Sequence, residues 1–187
     1  MPQNTFTKIG SVIHFNNNDG MLPKEHLQHD KLYKIRPVIE SLRDRFGRIP
    51  MEQKLSIDEQ MCATKMAHYM KQYLPNKPHK WGFKLYLLCS MEGFAHDFEV
   101  YSGSGKQKDL LPGELNMGET ANVVTRLIRT VPRNVNHILY FDNFYTSLPL
   151  VTHLAKEGIH SLGTVRINRL KNIKLPDKKE IMKKKKS

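Results

Sequence analysis

The segment His137-Ile-Leu-Tyr-Phe141 reads as a short strand with a wholly apolar core. A strand without a polar face must be covered on both sides, so it belongs in the middle of a sheet with helices above and below. The flanking residues supply those helices. Glu119 to Val131 sets Ala121, Val124, Leu127, Ile128 and Val131 on one helical face, and Pro132 and Asn134 close it. Ser147 caps a second helix that runs to Gly158, and Ser161 to Arg166 follows as a strand. Helix, strand, helix, strand is a crossover pattern, which requires parallel strands.

Upstream the pattern changes. Lys54–Met61, Gly82–Ser90 and Phe94–Tyr101 read as three strands, with a tight turn at Glu92-Gly93 between the last two. Lys77-Pro-His-Lys80 is an extended, lysine-rich approach to the second. Residues 102–118, punctuated by glycines and Pro112, read as a loop. Residues 1–50 are helical or irregular. Phe6, Ile9 and Ile13 form one apolar stripe, ended by Asn16-Asn-Asn-Asp-Gly20. A helix from Asp30 to Phe46 carries Leu32, Ile35, Ile39 and Leu42, with Pro37 kinking it or marking its true start. Three strands, helix, strand, helix, strand is the order of ribonuclease H-like folds, a mixed α/β sheet preceded here by a short helical segment.

Two aspartates fall at informative places. Asp58 lies in Leu55-Ser-Ile-Asp58-Glu-Gln60 and Asp142 in Tyr140-Phe-Asp142-Asn-Phe-Tyr-Thr-Ser147, on the first and fourth main strands. They are 142 − 58 = 84 residues apart, so only tertiary folding can bring them together. Two such carboxylates make a hard-oxygen site for Mg²⁺ or Mn²⁺, and metal pairs serve in-line displacement at phosphodiesters. Aspartate is also a common turn former at strand ends. Spacing alone leaves both readings open. Glu59 and Asn143, beside the pair, suit either the orientation of ligands or ordinary solvated positions.

The net charge is +12, from 30 basic and 18 acidic residues, and it is unevenly placed. Ten Lys/Arg against Asp177 and Glu180 give +8 from Arg166 to Ser187, and five lysines without an acid give +5 from Met61 to Met91. The remainder is close to neutral, 12 − 8 − 5 = −1. Two local basic stretches suit a polyanion such as DNA. Lys71, Lys77, Lys80 and Lys84 alternate with Tyr69, Tyr73, Trp81, Phe83 and Tyr86. The lysines are candidate phosphate contacts, Lys77 and Lys80 first, and most of the aromatics are expected in the core. Arg166 and Arg169 are further candidates. The ending Lys183-Lys-Lys-Lys186 fits disorder, a nuclear localisation signal or a non-specific arm for phosphates.

Other classes find little support. No apolar run reaches the roughly 18 residues of a membrane span. Cys62 and Cys89 form no CxxC pair, which disfavours a zinc module or disulfide framework and leaves reduced, buried thiols as the expectation. Gly103-Ser-Gly-Lys106 lacks the first glycine of a phosphate loop, since position 100 is Val, and Gln107 replaces its Ser or Thr.

Several phrases, in order, resemble the piggyBac family of DDE transposases. They are Val12-Ile-His-Phe-Asn-Asn-Asn18, Lys34-Ile-Arg-Pro37, Leu55-Ser-Ile-Asp-Glu-Gln-Met61, Lys71-Gln-Tyr-Leu-Pro-Asn-Lys-Pro-His-Lys-Trp-Gly82, Asp97-Phe-Glu-Val-Tyr101, Tyr140-Phe-Asp-Asn-Phe-Tyr-Thr-Ser147 and Gly163-Thr-Val-Arg-Ile-Asn-Arg169. The resemblance implies that Asp58 and Asp142 are the first two members of a catalytic, metal-binding aspartate triad. It also implies divalent-metal cleavage of transposon ends, strand transfer at TTAA sites, DNA as partner, a homodimer and a nuclear location. On this reading residues 1–50 are a remnant of the helical dimerisation and DNA-binding region, 51–169 the ribonuclease H-like core, and 170–187 a basic disordered tail. The family's third aspartate has no counterpart before Ser187, and Ala63-Thr-Lys-Met-Ala-His68 stands where a Lys-Gly-Arg phrase is common. The expectation is therefore a DNA-binding domain with its core incomplete at the C-terminus and inactive alone. An active transposase or nuclease that borrows Asp97, Glu99, Glu180 or a partner's carboxylate is the alternative, and a non-functional gene fragment is another.

Overall fold

The structure, a computed structural model, describes residues 1–103, 110–166 and 169–170. The expected basic tail from 171 onward, with Glu180, lies outside the described residues, as do positions 104–106 of the glycine-lysine loop.

The chain forms α1 (Gln3–Val12), α2 (Arg36–Gly47), β1 (Lys54–Ala63), β2 (Gln72–Tyr73), β3 (Trp81–Ser90), β4 (Ala95–Val100), α3 (Glu119–Leu127), β5 (Ile138–Phe141), α4 (Leu148–Lys156) and β6 (His160–Gly163). The six strands make one sheet in the order β2-β3-β1-β5-β6, with β4 also paired to β3. The apolar strand β5 does lie inside the sheet, parallel to β1 on one side and to β6 on the other. Ser90 N donates to Phe94 O at one end of the β3–β4 hairpin and Tyr101 N to Lys84 O at the other, so those strands run in opposite directions. Gly93 makes that turn at φ 85°, a conformation that glycine adopts without strain. Setting aside the two-residue β2, the spatial order is β4-β3-β1-β5-β6, with antiparallel and parallel pairs in one sheet, a mixed sheet as expected.

By contacts the chain divides into two compact units, one from Met1–Pro50, Glu59–Leu87 and Ala95–Gln107, the other from Met51–Asp58, Leu88–Phe94 and Lys108–Ser187. The second unit holds the larger core. Leu55 and Ile57 of β1, Leu139 of β5, Val124 and Leu127 of α3, and Leu150 and Leu154 of α4 are all buried. Each such side chain contributes roughly 1.5–3 kcal/mol over an exposed one. The stripe expected on α3 is buried as predicted, but so are Asn122, Val123 and Thr125. The buried polar groups are satisfied locally. Asn122 Nδ2 donates to Asn116 Oδ1, its Oδ1 accepts from Met117 N, and Thr125 Oγ1 donates to Ala121 O. Ser147 caps α4 by accepting from Leu150 N. Gly158 at φ 69° ends it, its N bonding Ala155 O while Ile159 N bonds Leu154 O. That is a Schellman ending, and it turns the chain into β6.

In the first unit α2 packs on β4. Arg43 donates from Nε and Nη2 to Asp97 at 2.6 and 2.7 Å, and Phe46 meets Phe98 with ring centroids 6.2 Å apart. The helix expected from Asp30 starts at Arg36, with Pro37 in its first turn. Proline is preorganised there and its missing N–H is not needed. Asp30 instead opens a turn, accepting from Leu32 N and pairing with Arg36. Helix α1 buries none of its residues.

Asp97 is 1% exposed, so removing its partner strands a buried carboxylate. Arg43→Ala should cost about 2–3 kcal/mol in chemical denaturation, the lower part of the range for breaking such pairs because Arg43 itself is partly solvated. A second expectation concerns acid. Two hydrogen bonds from Arg129 hold the Glu114 carboxyl down to about 2 from an ordinary 4.5. A carboxyl depressed in the folded state adds stability above its unfolded pKa and loses it as pH falls through the folded one. Between pH 4.5 and 2 the thermal midpoint should therefore fall less steeply in Glu114→Gln than in the unsubstituted chain.

Candidate metal centre and nucleic-acid interface

Strands β1 and β5 run parallel with Leu55 opposite Leu139 and Ile57 opposite Phe141. The next residue on each is Asp58 and Asp142. Two neighbouring parallel strands lie about 4.8 Å apart, so the two aspartates stand side by side just past the last pair of the β1–β5 ladder, Asp58 within β1 and Asp142 after the end of β5. Both are exposed. The apolar residues just before them, Ile57 and Phe141, are buried and anchor the strands. Burial, and then the charge of Asp58, push the Cys89 thiol above its ordinary range, which places that carboxylate near β3 as well. Neither cysteine is in a disulfide. Cys89 is half-buried, but Cys62 is exposed, against expectation.

Asp142 opens a tight loop. Its Oδ1 accepts from Phe144 N at 2.7 Å, and its carbonyl accepts from Tyr145 N, Thr146 N and Thr146 Oγ1. The carboxylate is thus a turn former and an exposed strand-end acid at once, and the two sequence readings coexist. Gly163 on β6 lies opposite Phe141, where a Cβ would come within 2.5 Å of Thr146 Oγ1 and 2.8 Å of Phe141 O. Only a residue without a side chain allows that approach.

Arg166 and Arg169 close over this loop. Arg166 Nε donates to Asn143 Oδ1 at 2.9 Å, and Arg169 Nη1 donates to the carbonyls of Asn143, Phe144 and Thr146 at 2.6, 3.1 and 3.0 Å. The sequence suggests phosphate contacts for both. In the structure they hold the segment that presents Asp142. Nothing in the sequence marks Gly163, Thr146 or this use of Arg169, because each depends on contacts that only the folded β5–β6 pair creates.

The lysines divide. Lys84 is 9% exposed, its ammonium 4.6 Å from the Tyr86 ring centroid and 5.7 Å from that of Tyr101. It lacks the solvent access that a phosphate contact needs, because it falls on the inward parity of β3 with Gly82, Tyr86 and Leu88. Lys77 donates to Glu59 O and pairs with Glu59 Oε1 at 3.2 Å. Lys71 is half-buried and lies over Trp81, while Lys80 is exposed. Of the aromatics, Tyr86 is core as expected, whereas Tyr69, Tyr73 and Trp81 are exposed.

Hard, exposed carboxylates side by side on adjacent chains of the sheet have the donor chemistry for Mg²⁺ or Mn²⁺. Among the described residues no group of three His, Cys, Asp or Glu side chains could hold a metal. Asp97, expected as a reachable third ligand, has its two oxygens engaged by Arg43.

A profile of the family described as Transposase IS4 matches residues 1–187. The human piggyBac transposable element-derived protein 3 is 28% identical over 176 residues, 94% of this chain and 28% of that protein. The human piggyBac transposable element-derived protein 2 is 28% identical over 181 residues, 95% of this chain and 29% of that protein. The chain therefore spans less than a third of the length of these relatives. A piggyBac transposase solved by cryo-EM in a synaptic complex with hairpin DNA superposes with a TM-score of 0.75 at 23% identity, over 98% of this chain and 36% of that one. The two share a fold.

Truncating Arg169 removes three hydrogen bonds from the Asp142 loop. Arg169→Ala should cost about 1 kcal/mol, since the donor is at the surface, and should speed amide exchange at Tyr145 and Thr146 while leaving the β1 amides protected. Gly163→Ala should disturb the same amides. Unchanged exchange in both variants would mean that the loop holds itself.

Proposed function

The chain belongs to the Transposase IS4 family, and on that premise we propose that it is a piggyBac-derived DNA-binding segment, acting in the nucleus, whose Asp58 and Asp142 form two carboxylates of a divalent-metal site. The observation that carries this reading is the β1–β5 register, which sets the two exposed aspartates side by side just past the last pair of that ladder. When bound, such an ion neutralises charge at a scissile phosphate and lowers the pKa of its water, the chemistry of DNA nicking and of strand transfer at TTAA sites. The protein's own part is positional. The buried Ile57 and Phe141 fix the strands, and the turn at Asp142, braced by Arg166 and Arg169, fixes one carboxylate.

The described residues offer two carboxylates for a centre that needs three. Cleavage thus requires a further acidic group, from residues outside those described or from a second copy in a homodimer, whereas DNA binding does not. Binding without chemistry is accordingly the activity assigned to this chain by itself, and cleavage the activity assigned to the complete site.

Circular dichroism melts with and without Mn²⁺ test the pair. Mn²⁺ should raise the thermal midpoint, by about 1.4 kcal/mol of added stability at tenfold excess over Kd, and should do so less in Asp58→Ala and Asp142→Asn. A shift of the same size in all three would remove the proposed site. The salt dependence of duplex binding tests the rest. Of the four lysines Lys71, Lys77, Lys80 and Lys84, Lys71 and Lys80 remain for phosphates, so these two alone give a log–log slope of about −2. Each lysine of 171–186 that joins adds about 0.9, and a flat response would exclude phosphate-driven binding altogether.

A further inference from the structure

Exposed aromatic rings are costly in water, yet β2 and β3 present two of them to solvent together. Tyr73 lies directly opposite Trp81 in the antiparallel β2–β3 pair, their ring centroids 4.8 Å apart and tilted by 45°. They are 49% and 52% exposed. Lys71 Nζ lies 5.4 Å from the Trp81 ring centroid, and exposed Lys80 immediately precedes Trp81. From Met61 to Met91 the sequence has five lysines and no acid. A cross-strand aromatic pair that served stability alone would be better buried. Aromatic faces beside cations, without carboxylates to repel a polyanion, are the combination that binds unpaired nucleic acid. Bases stack on the rings while ammonium groups meet the phosphates.

We propose that Tyr73 and Trp81, with Lys71 and Lys80, form a stacking site for unpaired bases of single-stranded DNA. This rests on the reading of the chain as a DNA binder and adds a preference that the carboxylate pair does not provide. In a duplex each base face is covered by its neighbours, so the rings discriminate in favour of a strand that is open or frayed. The two-residue β2 suits this role. It holds Tyr73 opposite Trp81 while Leu74 N, just beyond, bonds Lys80 O and closes the ribbon.

Trp81 is the sole tryptophan, so its fluorescence reports on this site alone. The whole chain would be titrated with a twelve-nucleotide oligothymidylate and with a twelve-base-pair duplex, following Trp emission and, separately, anisotropy of the labelled DNA. The oligothymidylate should quench Trp81 saturably and the duplex should not. Trp81→Ala and Tyr73→Ala should each weaken oligothymidylate binding about tenfold, the loss of roughly one stacked base, with duplex binding changed less than twofold. Trp81→Phe should restore most of the affinity, and a melt of each variant checks that it folds. Should Trp81→Ala fail to fold, Tyr73→Ala and the quenching in the unsubstituted chain decide. Duplex binding with no quenching by the oligothymidylate overturns the stacking site and leaves the DNA-binding reading standing. Absence of binding to either DNA overturns both. Tighter binding of oligouridylate than of oligothymidylate also overturns the proposal, since the site would then serve RNA.

Discussion

The parallel ladder between β1 and β5 is the pairing on which the candidate site depends. A parallel pair cannot be closed by a short turn, so the chain between them supplies β2, β3, β4 and the helix α3 before returning. What this long return achieves is a fixed register. Because side chains alternate along a strand, Leu55 and Ile57 face the core together with Leu139 and Phe141. A slip of one residue in either strand would turn that strand's set outward. The hydrophobic core therefore sets which residues follow the last pair of the ladder, and with Ile57 opposite Phe141 those residues are Asp58 and Asp142. The position of two exposed acids is determined by the burial of the four apolar residues before them.

The loop after β5 shows a different kind of constraint. Asp142 must leave the strand and turn at once, and its backbone carbonyl is satisfied by Tyr145, Thr146 and the Thr146 hydroxyl. The close approach of β6 at Gly163 and the three-way donation of Arg169 then press on this turn from the neighbouring strand and from the segment after it. All three contacts come from Nη1, which carries two N–H groups, so one of them is shared between carbonyls, and the guanidinium stays charged at any relevant pH.

Most of the fold was legible because its signals are local and strong. The apolar run of β5, the stripe on α3, the Ser147 cap and the Gly93 and Gly158 turns depend on residues close in sequence, and each stands where its pattern puts it. The start of α2 at Arg36 was open to sequence reading through Pro37, whereas Asp30 misleads. Its Asx turn and its ion pair with Arg36 lead into a turn and a 3₁₀ stretch, Tyr33–Ile35, and the α-helix begins only after them. The strand β2, two residues long, has too little pattern to read. Of the candidate site, the sequence revealed the acids and left the braces hidden. Asp58 and Asp142 stand out beside apolar runs, but Gly163 and Arg169 are ordinary residues until β6 lies against β5.

The lysines show why composition cannot substitute for geometry. Lys80 and Lys84 are equivalent in a count of charge and opposite in the structure. On β3 the even positions from Gly82 to Ser90 are buried, so Lys84 is drawn inward, where Tyr86 and Tyr101 offer ring faces in place of water. Lys80 precedes the strand and stays in solvent. The same parity that hides Lys84 turns Trp81 outward, opposite Tyr73. One alternation along one strand thus removes a cation from the surface and supplies an aromatic ring in exchange. What a nucleic acid would meet here is less charge and more stacking surface than the sequence suggests, and that balance favours bases over phosphates.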